Sequence, residues 1–311
     1  MPVDIFDACW INYNNICLMI QHAFVKPNKR KTMKTTKWAF VIIYSLVCTT
    51  FYPKQAYSQE NSHYKVLDEA KLIVNYSLTW RNDSTTPKIG KKEDMILLIG
   101  NNISSFQSFL HYKWKEFSMT RAEGETIEDY VNNGGDLMTH IDYCIYKGHP
   151  NGKLTVMEHV PFTGDFEYAE DIPNFNWEIM EDTMRIEGYL AQKAVCEYGG
   201  RTWEAWFTEE LPFNDGPYKF CGLPGLILNM IDARRDYRFF FQSIEVPEEG
   251  TTIKWENKET VKTTKKGLFK VIDQSAESVM RNFDERTSTE AQKNIYYGMK
   301  ANNNPIELDR K

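Results

Sequence analysis

The chain has 311 residues, 42% of them hydrophobic and 14% aromatic, with 37 Lys and Arg against 43 Asp and Glu. That apolar content is enough for a sizeable packed core. The net charge of −6, with no basic stripe anywhere along the chain, argues against a phosphate backbone as partner, so nucleic-acid binding is not expected.

Residues 1–32 sustain no helical or strand period and read as upstream sequence included by an early start codon. From Met33 the layout becomes that of a secretory signal peptide over 33–58: Lys34 and Lys37, an apolar run over 38–51, and small residues at Ala56 and Ser58 before Gln59. The apolar run is shorter than the roughly 18–20 residues that span a bilayer, so no permanent membrane span is expected after processing. Val47 stands before Cys48 where a lipid-anchor signal wants a small residue. Removal of 1–58 leaves 311 − 58 = 253 residues with 37 − 7 = 30 basic and 43 − 2 = 41 acidic side chains, a net charge of −11. The exported chain then belongs to the periplasm or cell envelope. Its remaining cysteines are Cys144, Cys196 and Cys221, and an oxidising compartment permits one disulfide among them, Cys196 with Cys221 being the first pair to test.

The elements from 59 onward read mostly as short strands. Residues 72–80 are rich in β-branched and aromatic side chains and read as the first strand. Residues 95–99 and 104–108 flank Gly100-Asn101-Asn102 as a hairpin, 109–125 read as partly helical, and Asn132 to Gly135 as a mobile loop. A second hairpin pairs 143–146 with 154–158 across Pro150-Asn151-Gly152. Strands follow at 166–169 and 175–180, then a long strand over 184–197 paired with 202–208 across Tyr198 to Arg201. In the latter strand Trp203, Ala205 and Phe207 share one face, while Glu204 and Trp206 share the other. Residues 226–231 and 237–246 make the last hairpin, turning through 232–236. The stretch 251–266 reads as an edge strand plus loop, 268–283 as a helix packed on the sheet, and 284–311 as a loosely ordered polar tail. Hairpin after hairpin without a βαβ rhythm predicts a mainly β (β-rich α+β) fold: an antiparallel meander forming a curved sheet or half-barrel, with no parallel sheet.

The densest pattern is Gly216-Pro217-Tyr218-Lys219-Phe220-Cys221-Gly222-Leu223-Pro224-Gly225-Leu226-Ile227. Upstream of it lie Gly199-Gly200-Arg201, Trp203, Trp206, Phe207, Leu211-Pro212 and Asp215. Taken as plain chemistry, Pro224-Gly225 is a turn between strands, with Gly225 at positive φ and Leu223, Leu226 and Ile227 in the core. No Gly-Lys-Ser/Thr follows, so it is not a phosphate loop. The aromatic side chains Trp203, Trp206, Phe207, Phe213, Tyr218 and Phe220 could line a cleft or build a sheet core. The carboxylates Glu204, Glu209, Glu210 and Asp215 could serve acid–base chemistry or form a solvated rim. His140, Cys144, His149 and His159 are too scattered for a zinc set, and the chain has no HExxH, paired CxxC or G-x-S-x-G, so neither metal nor cofactor is expected.

The order of these sub-motifs resembles the GLPGLI family, over about 186–246 and most specifically over 200–228. Membership would imply an exported Bacteroidetes protein without an established activity. Where that family often carries a cysteine in a Gly-Tyr-x-Cys-x-Lys-Ala segment, this chain has Ala191, which puts a family-typical disulfide in doubt. The resulting expectation is a non-catalytic envelope module binding an apolar molecule, a peptide or an outer-membrane protein segment. The alternatives are a hydrolase using the acidic residues between Trp203 and Asp215, and a structural or assembly partner of outer-membrane machinery.

Overall fold

The structure is a computed structural model describing residues 64–86, 90–121, 125–135, 139–282 and 290–310. The expected upstream segment and signal peptide, and Phe283 of the expected helix, lie outside them. The described residues form one compact unit.

The strands are β1 (Tyr64–Glu69), β2 (Leu72–Trp80), β3 (Lys91–Ile99), β4 (Ser104–Ser108), β5 (Tyr143–Lys147), β6 (Leu154–Val160) and β7 (Gly164–Glu170) in the first half. The second half adds β8 (Glu178–Ile186), β9 (Tyr189–Tyr198), β10 (Arg201–Thr208), β11 (Leu226–Asp232), β12 (Tyr237–Glu245), β13 (Thr252–Glu256) and β14 (Val261–Lys262). Helices α1 (Phe109–Thr120) and α2 (Ile127–Asn132) follow β4, and α3 (Lys265–Asn282) and α4 (Glu290–Lys300) follow β14. The expected mainly β fold with a C-terminal helix is what forms.

Twelve strands make one sheet in the order β14-β7-β6-β5-β4-β3-β2-β12-β11-β10-β9-β8, while β1 and β13 pair as a separate ribbon. Two runs of hairpins, β2 to β7 and β8 to β12, are joined where β12 pairs antiparallel with β2. The expected absence of parallel pairing fails at one edge, where β14 lies parallel to β7 through Val261 and Lys262.

The topology itself demands curvature. Strands β7 and β8 stand second and twelfth in the sheet, ten steps apart, which is about 48 Å if flat. The chain joins Glu170 to Glu178 in eight Cα steps, at most about 29 Å. The sheet therefore curls, bringing its two ends towards one another without closing into a barrel.

The inner face is lined by alternate residues such as Leu72, Val74, Tyr76, Leu78 and Trp80 of β2 and Trp203, Ala205 and Phe207 of β10, all in the main core. Ile96, Leu98, Tyr146 and Met157 point the other way and form a smaller core with Ile253 of β13, against which Phe109 and Tyr112 of α1 pack. Ser108 caps α1, its hydroxyl accepting from the Leu110 and His111 amides.

Two elements depart from the sequence reading. The expected strand over 184–197 is two, β8 and β9, because Glu187 and Gly188 both have positive φ, 46° and 91°, and turn the chain sharply. The expected polar tail contains α4, and beyond it Asn304 and Glu307 are buried. Asn304 and Glu307 meet the buried cations Arg201 and Lys219, which polar composition alone does not reveal.

Candidate functional site

The motif region is where the inner core and the buried charge meet. Between β10 and β11 the chain folds inward, and Tyr218, Lys219, Phe220, Leu223, Leu226 and Ile227 are all buried. Phe220 is the hub: its ring lies 4.9 Å from Trp203, 5.2 Å from Phe175 and 5.6 Å from Tyr198. Trp203, Phe207, Tyr218 and Phe220 are thus interior rather than a cleft wall. Asp215 and Cys221 close the loop as an isolated bridge. Lys147 from β5 pairs with Asp215 and donates to the carbonyls of Gly216 (2.7 Å) and Phe220 (3.2 Å). Trp177 donates its indole N–H to the Cys221 carbonyl. Pro217 is buried beside this loop, and Pro224 is exposed.

The glycines act differently from the sequence expectation. Gly222 has φ 97°, but Gly225 is not among the positive-φ residues. What Gly225 supplies is space: a Cβ there would lie 2.1 Å from the Thr208 carbonyl oxygen. At Gly216 it would meet Ile227 at 2.7 Å. Gly225→Ala should therefore cost about 3 kcal/mol of unfolding free energy by displacing backbone, the upper part of the usual overpacking range. Urea unfolding checks this, and an unchanged midpoint would contradict the close approach.

Two further cations in this region, Arg201 and Lys219, are buried almost completely, and both hold the segment that follows α4. Arg201, at the start of β10, sends Nε to the Ile306 carbonyl (2.9 Å) and Nη2 to both the Asn304 Oδ1 and the Pro305 carbonyl (2.7 Å each). Its Nη1 donates to Asp232 (2.9 Å) and Asp236 (3.2 Å). Tyr237 stacks on the guanidinium at 5.0 Å and donates to the Asn304 carbonyl at 2.7 Å. Lys219 contacts Glu307 Oε1 (2.7 Å), the Tyr168 hydroxyl (2.7 Å) and Glu170 (2.9 Å). Glu307 also accepts from Tyr218 (2.7 Å) and Tyr198 (3.3 Å), and pairs with Lys265.

Burial raises the pKa of Glu307, but Lys219 and Lys265 outweigh that and hold the carboxyl below its ordinary range. Gly199 and Gly200 complete the socket. Added Cβ atoms would press on Glu307 from 3.0 Å and on Leu308 from 3.1 Å, while the Gly199 carbonyl accepts from the Leu308 amide. Arg201, Tyr218, Lys219 and the Gly-Gly pair thus converge on 304–308. The sequence reading singled out Arg201 but not Lys219, Asn304 or Glu307.

The remaining candidates are dispersed. Glu204 lies on the outer face of β10, accepting from the Trp206 indole (2.8 Å) and pairing with Lys193 (2.7 Å). Trp206 is half-buried there, with the Lys193 ammonium 5.9 Å from its ring centroid. Glu210 accepts from the Leu190 amide, Asp215 belongs to Lys147, and Glu209 is exposed. An outer-face groove of about 320 Å³ lies beside Glu204, Asp232, Arg235, Arg238 and Phe240. Cys144, Cys196 and Cys221 are free thiols, so the Cys196–Cys221 disulfide is not formed. Cys196 stands opposite Trp203 in the β9–β10 register, and Cys221 opposite Asp215 in the motif loop, so each faces a different partner. Burial pushes the Cys196 thiol up to about 12 and also raises Cys221, which makes both poor nucleophiles. Among the described residues no three His, Cys, Asp or Glu form a metal-binding group, and no helix is long and apolar enough to cross a membrane.

One carboxyl escaped the sequence reading because nothing in its neighbourhood forms a motif. Glu158 of β6 is opposite Tyr143 and Phe166 in the strand registers. Burial raises its pKa to about 7, with Arg310 and Lys219 opposing and Asp142 and Glu307 adding to the rise. The native state therefore keeps a proton that the unfolded chain has lost between about pH 4.5 and 7, and stability falls as pH rises through that window. Glu158→Gln should match wild type near pH 4 and be about 2 kcal/mol more stable at pH 8, allowing for partial exposure of the side chain. Urea titrations at the two pH values check the sign.

Residues 199–229 match a family described as a protein of unknown function (Porph_ging), a span that coincides with the motif block. No curated protein matches the chain. Two solved structures of PNGF-II, in space groups P21 and C2, align at 13% and 14% identity with TM-scores of 0.41 and 0.39. They cover 63% and 62% of this chain and 31% of theirs, so the chain spans about a third of their length, and the likeness is too low to carry an argument.

Proposed function

We propose that this is an exported cell-envelope protein of the GLPGLI type that works without catalysis, as a module engaging a peptide or a protein segment. The observation that carries this reading is the fate of the motif. Trp203, Phe207, Tyr218 and Phe220 are core, Gly225 makes room for the Thr208 carbonyl, and Arg201 and Lys219 grip an irregular polypeptide segment through two successive carbonyls, a side-chain amide and a carboxylate. Those are the contacts by which proteins read extended chain. The carboxylates expected to serve a hydrolase are dispersed, Glu204 paired with Lys193 on the outer face of β10, Asp215 with the buried Lys147, Glu210 on the Leu190 amide and Glu209 exposed. A carrier for small apolar molecules would need open apolar surface, and the aromatic set is occupied by its own packing.

Native mass spectrometry of the protein isolated from its own envelope, with an environment-sensitive apolar dye added in parallel, tests the reading. The expected result is a mass free of small-molecule adducts and no saturable dye uptake. A stoichiometric apolar adduct, or dye binding abolished by Trp206→Ala with the fold intact, would replace it with the carrier reading.

A further inference from the structure

The contacts of residues 304–308 are unusual for a segment that merely finishes a core. No strand ladder holds it. Its backbone is read by side chains and isolated carbonyls: Arg201 takes the carbonyls of Pro305 and Ile306, Tyr237 that of Asn304, and the Gly199 and Asn82 carbonyls accept from the Leu308 and Asn304 amides. Its side chains are read as well. The Asn304 amide accepts from Arg201 and donates to the Arg81 carbonyl at 2.7 Å, and the Glu307 carboxylate sits among two ammonium groups and two phenols. An apolar segment would close the same space at lower electrostatic cost, because buried ion pairs recover little of their desolvation penalty. What the charges add is discrimination: a segment lacking the asparagine would take one acceptor from Arg201, and one lacking the carboxylate would leave the buried Lys219 with only Glu170 and the Tyr168 hydroxyl.

We propose that the motif socket is a recognition site for an extended Asn-Pro-aliphatic-Glu segment, held here by the chain's own residues 304–307, which a partner protein presenting the same segment chemistry displaces. Arg201, Lys219, Tyr218 and the Gly199-Gly200 pair are then the recognition surface, and the native segment is its autoinhibitory occupant. This rests on the peptide-engaging reading above and gives it a location.

The full chain, carrying a protease site inserted between α3 and α4 and shown to melt like wild type, is cut after folding. A fluorescent peptide spanning residues 302–310 is then offered. The expected result is saturable exchange, at least tenfold weaker for peptides carrying Asn304→Ala or Glu307→Gln and lost in an Arg201→Lys chain that remains folded. Exchange that is indifferent to these substitutions, or a cut chain that neither takes up the peptide nor is restored by it, overturns the inference. Either failure leaves the broader reading to be judged by the adduct and dye experiment, which does not involve the socket.

Discussion

Arg201→Met should lower the unfolding free energy by about 3–5 kcal/mol, the range for removing one partner of a buried charged network. The guanidinium is only 1% exposed and divides its donors between Asp232 and Asp236 on one side and three residues of the 304–306 segment on the other. Methionine fills similar space but leaves Asp232 with backbone donors alone, from Arg234 (3.3 Å) and Tyr237 (2.7 Å). Asp236 retains Arg81, so the deficit concentrates at Asp232 and at the three orphaned acceptors of the 304–306 segment. Lysine should rescue little, because one ammonium cannot reproduce a planar fork aimed at five oxygens. Arg81→Met supplies the contrast: that side chain is 26% exposed and shares a single carboxylate, so about 1 kcal/mol is expected. Urea unfolding of the three variants separates these outcomes. Arg201→Met falling within 1 kcal/mol of wild type would mean that the 304–308 segment is held by something other than the socket.

The parts of this molecule legible in its sequence were those specified by neighbours along the chain. The β5–β6 hairpin carries Pro150-Asn151-Gly152 between its strands, and Asn151 and Gly152 do take positive φ. The alternation that placed Trp203, Ala205 and Phe207 together inside and Trp206 outside follows from the two-residue period of any strand. The turn at Glu187-Gly188 was missed because a glutamate rarely takes the left-handed region that the pair requires. Strand β1 was missed too, since its partner is β13, remote in the sequence. Gly225 was read as a conformational glycine although its constraint is the Thr208 carbonyl 17 residues earlier. The socket was least legible of all. Lys219 and Glu307 are 88 residues apart, Arg201 and Asn304 are 103 apart, and on an acidic chain one more glutamate in a polar tail looks like solvated surface.

The Lys219–Glu307 pair offers the sharpest separation of specificity from stability. Glu307→Leu alone should cost about 3–5 kcal/mol, since it leaves Lys219 buried beside Tyr168 and Tyr218 with only the partly exposed Glu170 as counter-charge. Lys219→Met alone should cost somewhat less, because Lys265 still neutralises Glu307 and can reach solvent along its stem. Joined in one chain, the two substitutions should come within about 2 kcal/mol of wild type, giving a coupling energy of at least about 3 kcal/mol. The pH dependence sharpens the test. The carboxyl of Glu307 is held below its ordinary value, so its contribution is present above about pH 4.5 and is lost as pH falls through the lower native value. Wild type should therefore lose stability in acid more steeply than the double variant, in which that carboxyl is absent. Additive single costs, or identical acid profiles, would show that the ion pair is incidental to a segment held by Arg201 alone. Strong coupling with a double variant that stays folded but no longer discriminates peptides 302–310 from their Glu307→Gln form would show that these charges are there to choose the segment rather than to hold the fold.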